Sequence, residues 1–168
     1  MARLTAIDLS KEYLHFSAAH FTIFSSTERE RLHGHNFRVS ARITAPVGDN
    51  GLCFNYQIFK DKLRELCVEL DEYTLIPEAS PFLDITIQGS YYNIEFNGEV
   101  MKLLRSDTQL LPVRNISVEE LAYFFLSQLV EDPLVNDLNL QTVEIKVASG
   151  PEQWGNCVWD SASPYKLG

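Results

Sequence analysis

The chain predicts an α+β domain, one antiparallel sheet with two helices packed on a single face. Three observations carry that expectation. Residues 36–45 alternate apolar and polar without a break, the pattern of a half-buried strand. From Tyr56 the period changes, with Phe59, Leu63, Leu66, Cys67 and Leu70 at helical spacing and charged residues between them, an amphipathic helix over 56–70. A second apolar stripe, Leu121, Phe124, Phe125 and Leu129, follows Ser117 and Glu120, which read as a capping box at a helix start.

The remaining elements follow in order. Residues 7–20 read as one strand ending at His20. Gly48-Asp49-Asn50-Gly51 supplies turn chemistry before a short strand at 52–54. Strands are expected at 84–88, 91–96 and 99–104, the last two joined by Asn97-Gly98, a hairpin signal. The second helix runs to about Val130, residues 137–139 turn, and residues 142–148 alternate again before a final strand at 157–159. With no repeat, low-complexity tract or linker, residues 1–168 read as a single domain with a hairpin insertion at about 84–104. Two helices cover only one face of the sheet. A sheet that is apolar on both faces covers the second by oligomerising into a barrel or tunnel.

Composition excludes several functions. The formal net charge of -9 leaves no basic face for a phosphate backbone or an anionic membrane surface, so neither nucleic acid nor membrane is expected as a partner. Cys53, Cys67 and Cys157 are odd in number, widely spaced and contain no C-x-x-C, against a disulfide framework and in keeping with a reducing cytoplasm. Charged residues arrive early, at Asp8, Lys11 and Glu12, which leaves no apolar signal core, and no run approaches the ~20 apolar residues of a membrane span. The expectation is a soluble, cytoplasmic protein.

Three of the four histidines lie in one segment: His20, then His33-Gly34-His35. Ligands separated by one residue point the same way only on an extended strand. With His33 and His35 facing inward and His20 on the neighbouring strand, three imidazoles form a facial set with one tetrahedral position open, the pattern of catalytic zinc. The plainer alternative is three histidines each satisfied by a hydrogen bond or solvent. His15, five residues before His20, would face the opposite side of the same strand and reads as structural.

Phe16-Ser17-Ala18-Ala19-His20 and Glu30-Arg31-Leu32-His33-Gly34-His35-Asn36-Phe37 resemble the 6-pyruvoyl-tetrahydropterin and 6-carboxy-tetrahydropterin synthase family. Matches continue in order at Gly51-Leu52-Cys53-Phe54-Asn55-Tyr56, at Leu70-Asp71-Glu72-Tyr73-Thr74-Leu75 and at residues 110–119. The resemblance implies the tunnelling fold, in which paired helices lie over an antiparallel sheet and subunits close into a barrel, typically a homo-hexamer of two stacked trimers. It implies Zn2+ on His20, His33 and His35. It also implies a small-molecule partner, a pterin with a three-carbon side chain such as dihydroneopterin or its triphosphate, bound between subunits. In such chemistry a metal acts as Lewis acid, a separate group moves protons, and a buried carboxylate anchors the pterin.

The sequence departs from the family pattern at several of its functional positions. The cysteine expected as base four residues before the first histidine of the H-G-H motif is Arg29. The expected Asp-His pair after the first helix is Asp71-Glu72, so Asp71 and Glu72 become the assisting catalytic candidates. The aspartate expected before that helix is Asn55. No acid aligns where the pterin-anchoring glutamate belongs, near residues 148–150; Glu144 and Glu152 are the nearest. Glu30 is the remaining candidate base, provided burial raises its pKa toward neutrality; otherwise residues 28–31 are a solvated loop of alternating charge. Glu119 is a second substrate-binding candidate, although an acid in a first helical turn also suits the helix dipole. Trp154 and Tyr73 could stack on a pterin.

Three functions fit these residues. The first is a zinc-dependent lyase or synthase acting on the side chain of a reduced pterin, with Glu30 as base. The second is a metal- and pterin-binding member of the same fold without turnover. The third is zinc-dependent hydrolysis of another small molecule, which needs neither missing residue.

Overall fold

The fold is described for residues 3–163 from a computed structural model; the domain expected over 1–168 runs past both limits. In chain order the elements are β1 (Leu4–Leu9), β2 (His15–His20), β3 (His33–Pro46), α1 (Gln57–Leu70), β4 (Tyr73–Pro77), β5 (Asp84–Gln88), β6 (Tyr91–Phe96), β7 (Glu99–Leu104), a 3-10 turn at Arg105–Asp107, β8 (Thr108–Leu111), α2 (Val118–Val130), α3 (Pro133–Asn136), β9 (Thr142–Gly150) and β10 (Gln153–Asp160). This is the expected α+β class. The large sheet runs β10-β9-β3-β2-β4-β8, with β1 also paired to β3.

β3 organises the sheet because its alternation is sustained over 14 residues. β9 lies along one edge of β3, while β2 and β1 follow one another along the other. The single strand expected at 7–20 is therefore two. Between them Leu14 N donates to Lys11 O (3.0 Å) and Val39 N donates to Leu14 O (2.9 Å), a detour made by Ser10, Lys11 and Glu12, which do not alternate.

Other boundaries also move. Residues 52–54 are not a strand, since the Gly48–Gly51 turn closes on itself through Gly48 N to Leu52 O (2.8 Å). Helix α1 begins at Gln57, whose N–H donates to the Asn55 side-chain oxygen (3.1 Å). At α2 the Ser117 hydroxyl accepts from Glu120 N (3.3 Å), but the Glu120 carboxylate accepts from Arg114 N (2.8 Å), so only half of the capping box forms. The last strand begins at Gln153, four residues ahead of expectation.

Two strands have no counterpart in the sequence reading. β4 pairs with β2, and β8 with β4, both parallel. The sheet is antiparallel from β10 to β2 and parallel from β2 to β8, hence mixed as a whole.

Both long helices cover one face. Buried Phe59, Leu63, Leu66, Cys67 and Leu70 of α1 and Leu121, Phe124, Phe125 and Leu129 of α2 meet Phe16, Phe37, Val39, Ile43 and Val147 of the sheet in one core. Phe16 stacks on Phe37 and Phe125, with ring centroids 5.0 and 5.8 Å apart. Burying such a side chain contributes roughly 1.5–3 kcal/mol. Burial, with Asp71 nearby, pushes the Cys67 thiol up to about 12, so it packs as an inert apolar group. β10 passes close over the start of α2: a side chain at Gly155 would meet the Val118 carbonyl carbon at 2.5 Å.

The opposite face carries Ser17, Asn36, Arg38, Arg42, Glu144 and Lys146, with Arg42 near Asp8 (3.6 Å) and Lys146 near Glu144 (3.7 Å). It is polar, which corrects the expectation of a sheet apolar on both sides.

Residues 84–104, the span expected as a hairpin insertion, form a separate three-stranded sheet, β5-β6-β7. Asn97 (φ 49°) and Gly98 (φ 78°) give the positive φ at both central positions that a tight hairpin turn requires. Ile94 and Phe96 pack against Phe21, Ile23 and Ile76 in a second apolar cluster. Among the described residues no helix is long and apolar enough to cross a membrane.

Candidate metal centre

The register of β2 on β3 pairs His20 with His33, Ala18 with His35 and Phe16 with Phe37. Residues directly opposite in an antiparallel pair share a face, so all three histidines lie on the helix-covered side at one end of the core. Phe37 braces them, its ring centroid 5.4 Å from His20 and 5.7 Å from His35. One ligand nitrogen from each of the three histidines lies within 4.8 Å of the others. His15 points away, exposed, with Nδ1 against Glu12 O (2.6 Å).

Backbone carbonyls set the tautomers. His20 Nδ1 lies 2.9 Å from Ile116 O and His33 Nδ1 lies 2.7 Å from Arg31 O. A carbonyl only accepts, so each Nδ1 carries the proton and each Nε2 presents a lone pair. His33 Nε2 then stands 3.0 Å from His35 Nε2. His20 Nε2 is buried without a hydrogen-bond partner among the described residues. Such an orphan is costly, and burial, followed by the neighbouring His33 and His35, holds the His20 pKa below its ordinary value, keeping the ring neutral. Nitrogens at about 2.0–2.1 Å from a tetrahedral zinc stand roughly 3.3 Å apart. Three converging imidazole nitrogens, one of them orphaned, therefore fit a divalent cation.

Glu30 is brought to this cluster. Its Oε2 accepts from Thr22 N (3.0 Å) and stands 3.9 Å from His33 Nε2, while Glu30 N donates to Thr22 O (2.8 Å). The proviso that burial raises its pKa is not met. Burial does push the carboxyl up, but hydrogen bonding from Thr22 and the nearby His33 and His20 outweigh it, and the pKa falls below the ordinary value. Arg29 does not face the histidines; its guanidinium lies over the Phe21 ring at 4.9 Å.

The other candidates stand elsewhere within the chain. Asp71 Oδ1 accepts from Ser17 N (2.7 Å) and Glu72 N donates to Ser17 O (2.7 Å), three positions along β2 from His20, roughly 10 Å at strand spacing. Tyr73 and Glu72 border a shallow cleft with His35 and Asn36. Glu119 is exposed in the first turn of α2, three residues after Ile116. Glu152 is exposed in the turn between β9 and β10. Glu144 accepts from Asn156 (3.2 Å) on the polar face, and Trp154 borders a groove on that face with Lys11 and Arg38.

Residues that shape the centre through the backbone were not legible beforehand. Thr22, Arg31 and Ile116 act through main-chain groups. Asn115 joins two of their segments, accepting from Ile23 N (3.0 Å) and Ile116 N (3.1 Å) and donating to Ile23 O (2.8 Å). Its place just before the Ser117 helix cap was the one available signal.

Comparison with known proteins agrees with this geometry. The chain is 28% identical over 152 residues to a protein of Methanocaldococcus jannaschii provisionally named 6-carboxy-5,6,7,8-tetrahydropterin synthase, covering 86% of this chain and 88% of that one. The crystal structure of Plasmodium vivax 6-pyruvoyl tetrahydropterin synthase superposes with a TM-score of 0.88 at 26% identity, covering 94% of this chain and 99% of that one. The Plasmodium falciparum enzyme gives 0.87 at 27%, covering 94% and 98%. Two further structures are Plasmodium vivax variants, to alanine and to cysteine, at a glutamate described as a catalytic residue. The family profile of 6-pyruvoyl tetrahydropterin synthase matches residues 8–158, from β1 into β10 and through every strand that carries a histidine of the cluster, so this chain belongs to that family.

Proposed function

We propose that the chain is a zinc-dependent lyase or synthase acting on the three-carbon side chain of a reduced pterin, dihydroneopterin or its triphosphate, with Glu30 as the proton-transferring base. The observation that carries this reading is the convergence of Glu30 Oε2 (3.9 Å from His33 Nε2) on a cluster containing the orphaned His20 Nε2. Zinc held by His20, His33 and His35 would supply Lewis acidity toward side-chain oxygens. Thr22 N–H fixes one oxygen of the Glu30 carboxylate, and the ionised group takes a proton from the substrate and returns it to the product. The catalytic glutamate of the Plasmodium vivax enzyme supports a carboxylate in this role. Glu119, one turn beyond the carbonyl that holds His20, is better placed than Glu152 to anchor the pterin. Copies of the chain would close as a homo-hexamer with the pterin between subunits, which sedimentation would check.

The test is incubation of zinc-loaded protein with dihydroneopterin, reading 6-hydroxymethyl-dihydropterin and glycolaldehyde by mass spectrometry. Glu30→Gln should lower the rate by roughly 10²–10⁴-fold with zinc still bound. Full activity in that variant would remove Glu30 from the reaction. A second reading, binding without turnover, is favoured by the lowered Glu30 pKa, since a carboxylate held ionised is a weak base; it predicts pterin affinity with no product.

A further inference from the structure

The residue standing where the family's cysteine was expected has contacts of its own. Arg29 pairs through its backbone with Ile23 in an isolated bridge, and Glu30 is the next residue in the chain. The Arg29 guanidinium lies between two rings, 4.9 Å from the centroid of Phe21 and 5.6 Å from that of Phe96. Phe21 follows directly after β2; Phe96 ends β6 in the inserted sheet. From that slot Arg29 Nη1 donates to the Glu30 carbonyl (2.8 Å). The same residue's N–H and carboxylate are held by Thr22, so the Glu30 carbonyl is the third point at which this residue is tied down.

A guanidinium suits the slot for two reasons. Its planar cation is attracted to aromatic faces, and its fork can donate while its plane stays stacked. A thiol could do neither. The inserted sheet supplies one wall of the slot and so bears on the centre without touching it.

We propose that Arg29 is a positioning residue for Glu30, clamped between Phe21 and Phe96 so that its guanidinium fixes the main chain that carries the carboxylate. This rests on the reading of Glu30 as base. The inserted sheet becomes part of the active-site scaffold, and the loss of the cysteine and the presence of Arg29 become one change: the residue at this position supports the adjacent carboxylate in place of acting as the base.

The test uses the zinc-loaded protein and three variants. Arg29→Met fills the slot without a donor or charge. Arg29→Lys restores a cation and a donor. Phe96→Leu keeps the apolar packing and removes one ring face. In Arg29→Met, kcat on dihydroneopterin should fall roughly 10–100-fold, the cost of a small misplacement of a reacting group, with KM and zinc content unchanged; Arg29→Lys should recover most of the loss. Hydrogen exchange at the Thr22 amide, whose acceptor is the Glu30 carboxylate, should quicken about tenfold in Arg29→Met, the scale of one lost hydrogen bond, and less in Phe96→Leu. That exchange reading needs no turnover. If the parent protein lacks activity, or Glu30→Gln keeps it, the assignment of Glu30 as base fails while Thr22 exchange still decides whether Arg29 positions it. Unchanged Thr22 exchange in both Arg29→Met and Phe96→Leu overturns the positioning role, as does a change confined to melting temperature.

Discussion

Two loops carry the acids that the sequence offers for proton transfer, and they use them differently. The loop leading into β3 delivers Glu30 to the histidines, 3.9 Å from His33 Nε2. The loop after α1 commits Asp71 to the Ser17 N–H and turns Glu72 into a left-handed residue (φ 65°) whose own N–H bonds back to β2. One acid faces a cluster of nitrogens; the other closes a helix and seats it on the sheet. A carboxylate's role is set by which unsatisfied groups surround it, and residue type alone does not distinguish the two.

The largest effect should come from the histidine side. His35→Ala removes one of three nitrogens, and zinc affinity should fall by more than the about 10–100-fold that follows loss of an outer partner; metal analysis after dialysis reads it. Zinc retained at full occupancy in this variant would break the comparison at its stronger end.

Asp71→Asn tests the other loop. It should cost about 1 kcal/mol in urea denaturation, because a charged acceptor for the Ser17 N–H becomes a neutral one, while zinc content stays unchanged and turnover changes less than tenfold. A collapse of turnover with no loss of stability would move Asp71 into the chemistry.

Acid should also separate the two. The His20 pKa is depressed in the folded protein, so its contribution to stability is present above the ordinary value of 6.5 and is lost as pH falls below it. The urea midpoint of the metal-free protein should therefore decline from about pH 6.5 downward, and His20→Gln should flatten that decline. Smallest of all, Glu72→Gly should leave stability unchanged or raise it by up to about 1 kcal/mol, since glycine adopts positive φ without a side-chain penalty.

The legible parts were those whose evidence is local. Period two in β3 placed His33, His35 and Phe37 on one side, and helical spacing gave both long helices. β4 and β8 escaped because Tyr73–Pro77 ends in proline, Thr108–Leu111 has only four residues, and their parallel partners are distant in sequence. The histidine tautomers escaped because Ile116 and Arg31 act through carbonyls, which every residue possesses. Asp71 was marked by its position, but its link to Ser17 spans 54 residues and no pattern in either segment announces it.

The charged outer surface of the large sheet limits how copies of this chain can meet. Pressing two such surfaces together would strip water from Arg38, Arg42 and Lys146 faster than their few acidic neighbours could compensate. In the proposed homo-hexamer, contact between subunits would therefore fall at the rims, where backbone N–H and C=O groups of outer strands can continue the ladder, and a ring joined in that way would enclose a hydrated lumen lined by these side chains.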